Sequence, residues 1–298
     1  MDRNKLLISF LLIIISLVWA GSFIAVKTTV EIDNVPPIHL GFLRFLIASP
    51  FMVLILLFRK NTKKIPLQEL PRLILLGLTG VTLIYILQYM GVDLTNASTA
   101  GVLINTNVIF ILTLSIIFLK EKLTISKTAG ITISFLGVIM VVFAQSMNET
   151  INFTDMFLLG SIYVILSAFC WAVYTIIGKK LLEKYDQFTV TAYAFLLGTF
   201  FFLPLVFQSI STTVAHISMN GWISILYLSL VCAVFGYLGW YYALTKTEAS
   251  KAAVYLNFIP LFVITLSFFY GETPTVLFIL GAILIIYGVY LTQRSNPK

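Results

Sequence analysis

The sequence predicts an all-α integral membrane protein of ten transmembrane helices, arranged as two inverted five-helix repeats. Three observations carry that expectation. Of 298 residues, 59% are hydrophobic and 10% charged, whereas a soluble domain carries roughly 25% charged residues. Such a chain cannot cover its surface with solvated groups, so its solvent is lipid. The apolar residues gather in runs near the ~20 residues that cross a ~30 Å hydrocarbon core. The chain also repeats itself: "WAGSFIAVK" from Trp19 returns as "WAVYTIIGK" from Trp171, with Trp, Ala, Ile and Lys in register 152 residues later.

Taken in order, the apolar runs are 6–27, 38–58, 71–91, 97–119, 125–144, 156–178, 188–208, 220–244, 250–270 and 275–292. Between them stand turn and charge residues such as "DNVPP", "RKNTKK", "KEK", "NETINFTD" and "KKLLEKYD". The first run follows Arg3 and Lys5 and begins like a secretory signal. It continues to about Val26, however, and its counterpart at Trp171 lies deep in the chain. It is therefore expected to stay as a membrane helix. Pro50, Pro204 and Pro260 mark expected kinks.

The repeat extends through both halves. "ASTAGVLIN" from Ala97 pairs with "ASKAAVYLN" from Ala249, and Tyr85 and Tyr89 recur as Tyr237 and Tyr241, all at the 152-residue offset. After one deletion the offset is 151, and Glu121, Gly130 and Gly137 pair with Glu272, Gly281 and Gly288. The units expected are residues 1–147 and 156–298. Five spans per unit is an odd number, so the second unit must cross in the opposite sense. Positive charge, which favours the cytoplasmic side, agrees. With the amino terminus inside, all but Lys27 and Arg44 of the 19 lysines and arginines fall in inner segments. Both termini are expected in the cytoplasm of a cell-membrane, multi-pass protein.

The net charge of +7 is spread in short clusters between apolar runs, which orients helices and gives no footprint for nucleic acid. Cys170 and Cys232 lie inside apolar runs and read as packing residues. His39 and His216 share no metal-ligand spacing, and no cofactor or metal is expected. There is no G-x-S-x-G, no paired His/Asp constellation and no nucleotide loop, so an enzyme is not expected. A secondary transporter built on an inverted repeat would hold its site near mid-membrane, at the repeat interface. A passive channel or facilitator, or a non-transporting receptor or scaffold, would also fit the spans.

"LVWAGSFIAVK", "FLRFLIASP", "ASTAGVLINTNVIFILTLSIIFLKEKLT" and "GITISFLGVIMVV" resemble the repeat of the drug/metabolite transporter superfamily, EamA type, and the resemblance covers nearly the whole chain. It implies a ten-helix bundle that exports or exchanges small polar or amphipathic metabolites, such as amino acids, by alternating access. The family often has proline in the fourth span, where this chain has Val108; the second half keeps it as Pro260.

The expected substrate-binding residues are those whose polar groups lie within spans. Tyr85, Gln88 and Tyr89 share one helix face by their spacing, as do Tyr237, Trp240 and Tyr241 in span eight. Their ring faces and polar tips suit hydrogen bonds and a cationic amine; packing between helices is the alternative. Trp19 and Trp171, with Tyr174 one turn beyond, either line the cavity or wedge the bundle. Asn105 and Asn257 bond across helices or face a wet cavity. Arg44 is a charge inside a span, at a cost of ~2.5–3.5 kcal/mol at a helix centre. It meets a carbonyl, a helix C-terminus or a substrate anion, or it snorkels to the outer headgroups. No Asp or Glu lies mid-span. The glycine pairs Gly130/Gly137 and Gly281/Gly288 read as close helix packing. A small-molecule substrate and the bilayer are the partners expected of a monomer.

The topology predicts that single cysteines at Asn61 and Asn148, in a chain lacking Cys170 and Cys232, react with an impermeant thiol reagent from opposite sides of a vesicle. Reaction of both from one side would overturn the inverted arrangement.

Overall fold

The computed structural model describes residues 3–59, 63, 65–95, 100, 103–146, 155–267 and 275–294. Lys60, Asn61, Lys64, Ala97, Asn148, Glu272 and Lys298, read above as loop charges, labelling positions or repeat partners, lie outside the described residues. Among the described residues the regular structure is helical, with no strand. The α-helices are α1 (Arg3–Lys27), α2 (Pro37–Phe58), α3 (Leu70–Gly77), α4 (Leu83–Leu94), α5 (Thr106–Leu119), α6 (Ile125–Ser146) and α7 (Asp155–Leu181). They continue as α8 (Gln187–Val206), α9 (Ile210–His216), α10 (Met219–Leu226), α11 (Gly236–Lys246), α12 (Ala249–Ala253), α13 (Phe258–Ser267) and α14 (Val276–Gln293).

Seven stretches are long and apolar enough to cross a membrane: Arg3–Val26, Pro37–Phe58, Leu67–Val92, Asp155–Leu181, Gln187–Val206, Met219–Lys246 and Val276–Gln293. The remaining three apolar runs of the sequence appear as the shorter helices Thr106–Leu119, Ile125–Val141 and Ala249–Val263. The exposed surface carries large apolar side chains from end to end, among them Phe10, Leu54, Phe118, Phe200, Ile223 and Ile283. A face of that kind is stable against acyl chains.

Local chemistry sets the helix ends and breaks. Asp186 caps α8 by accepting from the Phe188 and Thr189 amides at 3.0 and 3.3 Å. Ser218 and Thr275 do the same for α10 and α14. Pro50 and Pro204 sit within α2 and α8. Pro260 cannot donate to the Leu256 carbonyl, and the turn before it, Val254–Asn257, tightens to a 3-10 helix. In the third and eighth apolar runs the chain widens to π-helix, at Leu78–Thr82 and Tyr227–Phe235. Position 78 plus 152 is 230, so the wide turns fall at equivalent places in the two repeats.

Helix packing pairs the two halves reciprocally. α1 lies against α11 and α13, and its counterpart α7 lies against α4 and α5. α2 packs on the π segment Tyr227–Phe235, and α8 packs on the π segment Leu78–Thr82. α2 and α8 pack on each other, as do α6 and α14. The last pair is governed by glycine. A Cβ on Gly130 or Gly137 would meet the carbonyl of Gly288 or Gly281 at 2.6 and 2.7 Å, and the reverse holds for the other two. At each of these four positions the backbone of one helix approaches that of the other, and a Cβ would have to displace main-chain atoms.

Gly288→Val is therefore expected to destabilise the protein by about 1–3 kcal/mol, the usual cost of overpacking. Melting in detergent checks it, with Gly288→Ala falling between wild type and Val; an unchanged melting temperature for Val would remove the close seam.

Candidate functional site

Six helices send aromatic side chains to one buried centre. α1 supplies Trp19, α2 Phe45, α4 Tyr85 and Tyr89, α7 Trp171 and Tyr174, α8 Phe195, and α11 Tyr237, Trp240 and Tyr241. Tyr237 is the hub. Its ring meets those of Trp19 at 6.3 Å, Phe45 at 6.1 Å, Trp171 at 5.4 Å, Tyr174 at 5.5 Å and Phe195 at 5.2 Å. Around it, Trp240 lies 6.0 and 5.7 Å from Trp19 and Trp171, and Tyr241 stacks on Tyr174 at 5.0 Å. Tyr174, Tyr237, Trp240 and Tyr241 are fully buried.

Small residues make that density possible. A Cβ on Gly80 would collide with the Tyr174 ring, and one on Gly178 with Tyr241. The π turns supply the polar contacts. The Tyr237 hydroxyl donates to the Gly80 carbonyl at 2.8 Å and accepts from the Tyr85 hydroxyl at 3.1 Å. The Trp19 indole N–H donates to the Cys232 carbonyl at 3.0 Å. Gly80 and Cys232 are equivalent in the repeat, and both carbonyls belong to π segments. A wide turn disturbs the regular i→i−4 ladder, so a carbonyl there can accept from the other half.

Residues at equivalent repeat positions also meet one another. Tyr85 bonds Tyr237, and the Trp19 and Trp171 rings meet edge to face at 5.2 Å. α2 and α8 align at an offset of 150, which the 152-residue register hides. In that alignment Phe45 meets Phe195 at 5.0 Å, and the Ser49 and Thr199 hydroxyls bond at 2.8 Å. Phe45, Phe195 and Gly80 were not legible as site residues in the sequence; the signal for the first two is the pair "RFLIAS" and "AFLLGT" once the gap is allowed.

Arg44 turns into the bundle, 3% exposed, with its guanidinium 4.5 Å over the Tyr85 ring and 5.5 Å from that of Phe45. No carboxylate lies within ion-pair distance of it among the described residues, and its Nε has no partner there. The hydroxyls of Tyr89, Tyr174 and Tyr241 and the Trp240 indole N–H are likewise buried without a partner. Such groups cost free energy unless something meets them. These groups lie among the central rings, with the Arg44 guanidinium over the Tyr85 face at one side, an arrangement that suits a ligand with an anionic group, polar hydrogens and an apolar body.

The other expected residues divide. Gln88 is half-buried, on α4. Asn105 is buried immediately before α5, its carbonyl accepting from the Val108 amide at 3.1 Å. Asn257 donates across to the Ser134 hydroxyl of α6 at 2.6 Å, while its Oδ1 lacks a partner.

A second polar constellation gathers at one end of the bundle. The Glu121 carboxylate accepts from the Ala249 amide at 2.6 Å and from the amide and hydroxyl of Ser250, capping α12. Lys179 and Lys127 stand 3.6 and 3.8 Å from it, and Lys127 reaches Glu248 at 2.7 Å. Lys179 also donates to the Thr247 carbonyl at 2.7 Å. Burial pushes the Glu121 carboxyl up, but the Ser250 hydroxyl, Lys179, the Ala249 amide and Lys127 together hold it below its ordinary 4.5. The sequence offered only one hint of this, the repeat of Glu121 as Glu272.

Residues 6–143 and 158–294 each match the model of the EamA-like transporter family. An uncharacterized transporter of Archaeoglobus fulgidus is 37% identical over 97% of this chain and 98% of its own length. A probable terminal-alkyne amino-acid exporter of Streptantibioticus cattleyicolor is 26% identical, over 96% of this chain and 93% of its own. A solved crystal structure superposes with a TM-score of 0.78 at 17% identity, covering 96% of this chain and 98% of that one, and so shares the fold.

Glu121→Gln is expected to lower stability near neutral pH by about 1.5–3 kcal/mol, the range for hydrogen bonds to a charged group. Because the folded state holds this carboxyl low, its contribution is complete above about pH 4.5 and fades as pH falls through the lowered value. Melting curves from pH 7 to 3 should therefore converge for the variant and wild type in acid; parallel curves would detach Glu121 from the closure.

Proposed function

The chain belongs to the EamA-like transporter family, and from that premise we propose that it is a secondary transporter of small amphipathic metabolites, amino acids or close relatives, working by alternating access. The observation that carries this is the meeting of repeat-equivalent residues, Trp19 with Trp171, Phe45 with Phe195 and Tyr85 with Tyr237, around one buried centre. Contacts between a residue and its own counterpart lie on an axis of two-fold symmetry. The reading is that residues 1–147 and 156–298 cross the membrane in opposite senses about that axis, so that each half can take the other's conformation.

In this reading the ring centre is the substrate site. Arg44 takes the carboxylate, which is consistent with its burial away from any carboxylate among the described residues. The ring faces of Tyr174, Tyr237 and Trp240 and the unmet hydroxyls of Tyr89 and Tyr241 take the ammonium and the apolar body. The likeness to an amino-acid exporter supports that substrate class. Arg44 has Ala194 as its counterpart at the offset of 150, so the site is charged on one side only and fixes the substrate's orientation.

Both termini are assigned to the cytoplasm, with the Glu121 end. That end gathers Lys127, Lys179 and Lys251 about Glu121 and Glu248, and Arg72 and Lys184 about Glu69, which supports a cytoplasmic setting. The conformation described is then closed toward the cytoplasm, with Glu121 and Lys127 as the fastening.

Purified protein in liposomes should transport amino acids saturably and show accelerated exchange when substrate is present on both sides. Arg44→Gln should reduce transport of carboxylate-bearing substrates at least tenfold while the protein stays monodisperse. Tyr89→Ala and Tyr241→Ala should both weaken substrate affinity, though not equally. Unchanged affinity in both tyrosine variants, with lowered melting temperature alone, would return these side chains to helix packing.

A further inference from the structure

A cavity of about 270 Å³ opens at the same end of the bundle as Glu121, outside the ring centre, between α3, the end of α5 and the end of α7. Its walls are Arg72, Lys120, Lys180 and Lys184 with the single carboxylate of Glu183, and Phe118 and Leu119 form its apolar side. Arg72 and Lys184 already share Glu69, at 2.6 and 2.9 Å. Lys120 and Lys180 meet no carboxylate among the described residues, and the Lys180 ammonium stands 5.5 Å over the Phe118 ring. The pocket therefore holds unneutralised positive charge beside apolar surface.

Lys120 carries an independent sign that its position matters. Its backbone is left-handed, with φ of 56°, at the C-terminal end of α5, where its amide donates to the Ser115 carbonyl. Glycine is the residue favoured there, because a Cβ clashes in that conformation. The repeat provides the comparison: "KE" at Lys120–Glu121 corresponds to "GE" at 271–272. One half thus has glycine in the sequence, and the half that borders the pocket has a lysine in its place. The general bias of positive charge toward the cytoplasm asks only for charge in the loop, and the exposed neighbouring position already supplies it as Lys122. It does not account for a lysine at the one turn position that favours glycine.

We propose that this pocket binds the phosphate of an anionic phospholipid headgroup, with Lys120 and Lys180 as the principal contacts and Arg72 and Lys184 behind them. The lipid, rather than a soluble phosphate, is indicated by the rim: Ile117, Phe118, Leu123 and Ile125 are exposed beside the cations, where acyl chains would lie. Basic pockets between helix ends are a recognised chemistry for such headgroups. Because Lys120 is the residue directly before Glu121, an occupied pocket holds the loop that fastens α12 and α7. The assignment to the inner leaflet rests on the orientation proposed above; the pocket and its ligand do not.

The full-length chain in an uncharged detergent is titrated with phosphatidylglycerol, phosphatidylcholine or inorganic phosphate while its melting temperature is followed. Phosphatidylglycerol should raise it saturably and phosphatidylcholine should not. Lys120→Gly and Lys180→Gln should each weaken the phosphatidylglycerol response about fivefold. Lys120→Gly should melt no lower than wild type without lipid, because it relieves the backbone. An undiminished phosphatidylglycerol response in both variants would overturn the site. Inorganic phosphate giving the whole shift at similar concentrations would overturn the lipid assignment. Neither reading depends on transport, so failure here is distinct from failure of the transporter proposal.

Discussion

A polar group surrounded by hydrocarbon must find its partner inside the protein, and the Tyr237 hydroxyl is where this bundle meets that demand between its halves. It accepts from Tyr85, its own counterpart, and donates to the carbonyl of Gly80. That carbonyl lies in Leu78–Thr82, which is wound as a π-helix, and the neighbouring Tyr174 ring can lie against that turn because Gly80 has no side chain. Trp19 repeats the arrangement with Cys232 on the other side. Wide turns, small residues and central rings thus form one device, used twice. Interhelical hydrogen bonds of this kind average ~0.6 kcal/mol in membranes. The centre is held by a few such bonds, with several polar atoms still unmet.

The two seams of the molecule differ in the same physical terms. α6 and α14 meet backbone to backbone through four glycines, each forbidding a Cβ on the other side. That contact has one arrangement and no alternative, so it suits a fixed frame. The end fastened by Glu121 depends on ion pairs and a helix cap between loops. Those polar contacts, unlike the glycine seam, are of a kind that water can replace, which is compatible with the closure proposed at that end. The central rings lie between the two, packed by dispersion and edge-to-face contacts that tolerate sliding.

Much of this was legible in the sequence, because hydropathy and repetition are properties of a string. Seven of the ten apolar runs recur as stretches long and apolar enough to cross a membrane, and the fourth, fifth and ninth contain shorter apolar helical stretches among the described residues. The ring residues Trp19, Trp171, Tyr174, Tyr237, Trp240 and Tyr241 were found from the repeat and from helical spacing, and they do come together. Phe45 and Phe195 escaped because a two-residue difference in loop length shifts α2 and α8 out of the 152-residue register. The π turns escaped because a freed carbonyl has no side-chain signature: Gly80 and Cys232 share a role and no chemistry. Glu121 escaped because its partners, Ala249, Ser250, Lys127 and Lys179, come from three separate helix ends that only folding brings together.

The central claim is that the buried ring centre opens to each side of the membrane in turn. Thr175 tests it well. It is fully buried, lies on the α7 face shared by Trp171 and Gly178, and is close in size to cysteine. In a chain lacking Cys170 and Cys232, Thr175→Cys in oriented vesicles should react with an impermeant thiol reagent from either side, and substrate should change the balance of the two rates. Reaction from one side alone, unaltered by any transported substrate, would contradict the account.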